Sequence, residues 1–203
     1  MIIGKWNKSV ILTYIGLGFA ILGMYFSLTK NNILYAISCL IIAGVCDLFD
    51  GFVARKCKRT EEEKNFGIEL DSLVDVISFL ILPVVIFIGC GYTSWYHFII
   101  YLIFCLCGIA RLAYFNIKIE DNSKPIKYYE GLPVTFTALL LPLFYLLTYV
   151  LNKETFDFIY PFTILIIAIF NILKIKIKKP SGLAYLFFSL LAFITLILYL
   201  VIL

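Results

Sequence analysis

Seven stretches of this chain, residues 10–29, 33–54, 70–91, 96–117, 132–151, 156–173 and 181–203, are apolar over lengths that meet or approach the ~20 residues a helix needs to cross a ~30 Å hydrocarbon core. Backbone polar groups inside lipid must be satisfied within the segment, so such runs fold as helices. Hydrophobic residues make up 63% of the chain and charged ones 15%, and mean hydropathy is +1.01, which excludes a soluble domain. The expected fold is an all-α integral membrane protein, a polytopic bundle of about seven helices (six to eight), with residues 1–203 as one domain. The first stretch has no cleavage-like small-residue site after it and reads as a retained span.

Basic residues set the expected orientation. Threading seven helices places Lys5, Lys8, Lys56, Lys58, Arg59, Lys64, Lys118, Lys124, Lys127, Lys174, Lys176, Lys178 and Lys179 on one side, against Lys30 and Lys153 on the other. That asymmetry puts the N-terminus in the cytoplasm. The basic loops are assigned to membrane lipids with anionic headgroups, at about 1 kcal/mol per nearby cation, and not to nucleic acid. The six cysteines form no CxxC pair and read as inert buried thiols. His97, beside Trp95 and Tyr96, is expected in the aromatic belt of the far interface.

Four aspartates break this apolar pattern. Asp47 and Asp50 are three apart, and Asp71 and Asp75 four apart, so each pair shares a helical face. The polar link 56–66 is short enough to make the two helices antiparallel neighbours with converging acidic faces. A carboxylate at membrane depth costs roughly 2.5–3.5 kcal/mol on insertion scales, so four of them require compensating cations. Hard oxygen ligands favour Mg2+, Mn2+ or Ca2+ over zinc, and this many oxygens suffice for two ions. Gly51 and Ala54 follow on the same helix and allow close approach. Arg55 ends it with a guanidinium suited to bidentate phosphate binding. The combination describes a pyrophosphate site on the cytoplasmic side of the cell membrane.

The string Asp-x-x-Asp-Gly-x-x-Ala-Arg over 47–55, then Gly67-x-x-x-Asp71-x-x-x-Asp75, resembles the signature of the CDP-alcohol phosphotransferase family, and every signature position is filled. The link between Arg55 and Gly67 is longer than the family usually has. The resemblance implies that Asp47, Asp50 and Asp71 ligate metal, that Asp75 is both ligand and general base, and that Gly51, Ala54 and Arg55 contact a CDP-activated lipid donor, with Thr60 as the candidate loop hydroxyl. Asp75 also lies deepest in its helix, nearest where an acceptor hydroxyl would sit. Family members are usually homodimers.

Two further strings, Gly108–Asn116 and Tyr129–Thr135, resemble the serine-specific branch of that family, as does Phe66–Phe79. The likeness covers about residues 45–135. It implies L-serine as acceptor, with Arg111 for its carboxylate, Glu130 for its ammonium, and Asn116 and Tyr129 as neighbours. Glycerol 3-phosphate or inositol phosphate would call for more cations near Asp75. A cation transporter would need acids on a continuous route across the membrane, and the far half of every helix reads as lacking ionisable groups.

Overall fold

The structure, a computed structural model, describes residues 4–29, 32–121, 128–178 and 183–202. Its helices are α1 (Ile11–Thr29), α2 (Ile33–Lys56), α3 (Glu61–Asp75), α4 (Leu82–Gly89), α5 (Trp95–Asp121), α6 (Thr137–Tyr145), α7 (Lys153–Ile172) and α8 (Leu183–Ile202). A π-helical segment, Val76–Ile81, joins α3 to α4 without a break. Among the described residues five helices are long and apolar enough to cross a bilayer, and two further apolar helices are described over shorter lengths, Val134–Tyr149 and Phe187–Val201. The protein is a polytopic, all-α, multi-pass membrane protein.

The stretch 132–151 is less regular than its composition suggests. It starts and ends in 3-10 turns, Val134–Phe136 and Leu146–Tyr149, around an α6 that contains Pro142. Proline lacks an N–H and disturbs the preceding turn.

The link 56–66 is also shorter than its polarity indicates. Residues from Glu61 onward are already helical. Thr60 Oγ1 accepts from Glu63 N (3.2 Å) while Glu63 Oε2 accepts from Thr60 N (2.8 Å), a reciprocal capping box. Glu61, Glu62 and Glu63 fill the first turn, where the positive end of the helix dipole favours them.

α1 and α2 pack closely. Thr13, Gly16, Ala20, Gly23 and Ser27 form a buried stripe on α1. Its glycines face Cys46 and Cys39 of α2: a Cβ on Gly16 would lie 3.2 Å from Cys46 Cβ, and one on Gly23 3.0 Å from Cys39 Cβ. The register this fixes carries Thr13 to the level of Asp50. All six cysteines are free.

At the end of the bundle away from the aspartates, Phe87 stacks on Tyr160, and Tyr92 and Tyr101 pack against them tilted or edge-on. Tyr92 donates to Asp157 Oδ1 (3.0 Å), so this end does hold an ionisable group, contrary to the sequence reading. His97 differs from expectation too. It is buried against Tyr92 and Tyr96, while Trp95 and Tyr96 themselves remain exposed.

The described residues contain one short antiparallel ladder. β1 (Tyr128–Glu130) pairs with β2 (Lys176–Lys178), joining the connection before α6 to the connection after α7. Gly131 completes the turn after β1: its N–H donates to Ile175 O (3.0 Å), and Leu132 N–H donates to Phe170 O (2.9 Å). Asn171, buried, donates its amide to Leu132 O (3.1 Å) in the orientation its surroundings require. Gly131 has φ +77°, and an added Cβ would sit 2.4 Å from Asn171 O. Gly131→Ala is therefore expected to destabilise the protein by at least ~1–2 kcal/mol, the cost of a left-handed backbone with a side chain. Thermal unfolding in detergent checks this, and an unchanged midpoint would show that the turn relaxes.

Candidate active site

The acidic faces of α2 and α3 meet. One carboxylate oxygen from each of Asp47, Asp71 and Asp75 lies within 4.8 Å of the others. Asp50, buried one turn along α2 from Asp47, accepts from Thr13 Oγ1 at 2.9 Å. These groups line a pocket of about 10 Å3, room for one ion- or water-sized centre, together with Gly16, Cys46, Val74 and Ser78. Carboxylates this close repel one another in a medium of low dielectric. The arrangement suits a cation, and the donor set is all oxygen, which fits a hard divalent ion.

Gly51 and Arg55 follow on α2, one turn apart. A Cβ on Gly51 would meet only Arg55 Nη1, at 3.8 Å, so the backbone there is open to a ligand. Arg55 is exposed at the end of the helix, and Ala54 lies half-buried beside it. Thr60 is exposed, with its hydroxyl engaged in the α3 cap.

Arg111 is buried on α5 with its guanidinium over the Phe115 ring (5.0 Å), and its charge acts on Asp47. Asn116 Nδ2 donates to Ser72 Oγ (2.9 Å), which ties α5 to α3 one residue beyond Asp71. Tyr114 donates to Glu130 Oε2 (2.7 Å), so β1 is tied to α5 as well. The Tyr129 side chain lies outside the described residues. Asn116 and Glu130 thus have partners on neighbouring elements that spacing alone does not reveal. Sequence reasoning gave no role to Ser72, Ser78 or Asn171; their signal is a polar residue inside an apolar or acidic helix.

Beside Asp47 opens an apolar cavity of about 80 Å3 between α2, α6 and α8, lined by Ile41, Val45, Phe136, Leu139 and Phe188 among others. Polar and apolar sites therefore adjoin at a single carboxylate.

The family model described as CDP-alcohol phosphatidyltransferase matches residues 6–202. A CDP-diacylglycerol–serine O-phosphatidyltransferase of Saccharomyces cerevisiae is 38% identical over 107 residues, covering 50% of this chain and 38% of the yeast protein. An archaetidylserine synthase of Methanothermobacter thermautotrophicus is 34% identical over 108 residues, 53% of this chain and 44% of that one. A CDP-diacylglycerol–serine O-phosphatidyltransferase of Helicobacter pylori is 30% identical over 185 residues, 87% of this chain and 76% of that one. The chain spans less than half the length of the first two relatives and about three quarters of the third.

Proposed function

The chain belongs to the CDP-alcohol phosphatidyltransferase family, and from that premise we propose that it transfers a phosphatidyl or archaetidyl group from a CDP-activated lipid to the hydroxyl of L-serine, releasing CMP. The observation that carries this reading is the convergence of Asp47, Asp71 and Asp75 within 4.8 Å beside the Thr13-held Asp50. The relatives' names supply the acceptor.

Family members generally depend on a divalent metal. Asp47, Asp50, Asp71 and Asp75 would hold it, as Mg2+ or Mn2+ with Ca2+ the alternative; the pocket as it stands has room for one ion, and the second of the two would enter with the donor's diphosphate. When bound, the ions supply positive charge to a diphosphate and to the oxygens entering and leaving phosphorus.

The protein's own groups do the rest. Arg55 grips the donor's phosphate oxygens, and the bare backbone at Gly51 lets the diphosphate lie close to α2. The apolar cavity of about 80 Å3 between α2, α6 and α8 suits only the first few methylenes of the donor's chains, and the rest lie in the lipid. Asp75 takes the proton from the serine hydroxyl as its oxygen bonds to the lipid-bearing phosphorus. The bond from that phosphorus to the bridging oxygen breaks, and CMP departs with the oxygen. Arg111 binds the serine carboxylate and orients the hydroxyl. Glu130, fixed by Tyr114, faces the ammonium.

The basic asymmetry supports a cytoplasmic N-terminus and an active site on the cytoplasmic side of the cell membrane. The exposed apolar faces of the late helices supply a homodimer interface.

The test is a CMP-release assay on purified protein with a CDP-activated lipid and, in parallel, serine, glycerol 3-phosphate and inositol phosphate. Release is expected with serine at a kcat/KM at least about 10²-fold above the other two, the discrimination a site built for polar groups achieves. Equal or greater release with either phosphate-bearing acceptor would remove serine from the assignment.

A further inference from the structure

Hydroxyls within membrane helices ordinarily bond the carbonyl one turn back. Here Thr29 donates to Tyr25 O (2.6 Å), Ser38 to Leu34 O (2.9 Å) and Thr195 to Leu191 O (2.7 Å), while Thr13 and Ser27 of α1 donate across to Asp50 Oδ2 and Val85 O (both 2.9 Å). Ser78 does neither. It is 1% exposed, and its Oγ has no hydrogen-bond partner among the described residues. It sits in the π-helical segment that begins directly after Asp75, where Leu82 N–H reaches back to Ile77 O and the wider winding breaks the usual register. Other buried hydroxyls without a partner among the described residues are Ser9, Thr137 and Tyr160, but Ser78 is the one that lines the acidic pocket. It lies one turn beyond Asp75 and lines the same pocket as the four carboxylates, with Ala43 and Phe79.

A hydroxyl held dry beside three converging carboxylates has chemistry to offer that a core serine lacks. Its lone pairs are a hard, neutral oxygen donor, which adds coordination to a cation without adding negative charge to a crowded site. We propose that Ser78 Oγ is an additional ligand to the divalent ion held by Asp47, Asp71 and Asp75. The π segment is the device that turns it there, away from the backbone. The inference rests on the metal reading given above.

The experiment measures Mn2+ binding to purified protein in detergent, with neither lipid nor serine present, by calorimetry. Ser78→Ala is expected to weaken Mn2+ binding by about 10-fold or more, the scale seen when a group supporting a metal site is lost. Ser78→Cys replaces a hard donor with a soft one, so its preference for Cd2+ over Mn2+ is expected to rise relative to the unaltered protein. This second variant carries the test should Ser78→Ala fail to fold. Equal Mn2+ affinity in Ser78→Ala and the unaltered protein would overturn the proposal, as would an unchanged Cd2+-to-Mn2+ ratio in Ser78→Cys. If the unaltered protein itself binds no Mn2+, the metal reading above fails instead.

Discussion

Asp75→Asn is expected to cut CMP release by about 10²–10⁴-fold, the usual contribution of a positioned general base. The substitution keeps the size of the side chain and most of its hydrogen-bonding capacity, so packing around this buried position is preserved. It also removes one negative charge from a cluster in which Asp47, Asp71 and Asp75 approach within 4.8 Å. Like charges at that separation oppose folding in the absence of a cation. The metal-free variant should therefore unfold in detergent at the same temperature as the unaltered protein, or higher, while its turnover collapses. Stability and activity moving in opposite directions is the signature of a group retained for chemistry. Normal turnover in Asp75→Asn would remove the base assignment.

Stripping divalent ions with excess EDTA should abolish turnover, and Mg2+ or Mn2+ should restore it. The same manipulation has a readout that needs no substrate. An ion that binds the folded state alone stabilises it by RT ln(1 + [L]/Kd), about 2.7 kcal/mol at a hundred times Kd. Thermal unfolding should shift upward with Mn2+ and return with EDTA. Asp71→Asn, which weakens the ligand set, should blunt that shift. Full activity in EDTA, or a midpoint indifferent to Mn2+, would remove the metal from the mechanism.

The acidic centre is legible in the sequence because its geometry is local. Asp47 and Asp50 share a face through helical spacing alone, as do Asp71 and Asp75, and a short link makes their helices neighbours. The apolar runs are legible for the same reason. The start of α3 is also readable, since Thr60 and Glu63 stand at capping-box spacing, but the polarity of residues 61–66 masks it. What spacing does not carry is long-range pairing. Thr13 meets Asp50 because glycines on α1 fix its register on α2. Asn116 finds Ser72, Tyr114 finds Glu130, and Asp157 finds Tyr92 only once the bundle is assembled. The π-helical winding at Val76–Ile81 has no residue signal either; within it Leu80 packs where Gly108 of α5 has no side chain. The burial of His97 likewise depends on assembly, with Tyr92 of the α4–α5 connection and Tyr101 packed against its ring.

The rung-by-rung match of Tyr128–Glu130 with Lys176–Lys178 limits how this protein can be recombined. A transplant of residues 45–135 into a distant homologue would carry all four aspartates of the site and Arg111, yet leave one rail of the ladder in the donor protein. The recipient's own segment after its penultimate long helix would have to accept the incoming rail in the same register. Chimeras cut between α6 and α7 should accordingly lose their grip on the small acceptor before they lose the nucleotide, and exchanging the two rails together should restore it.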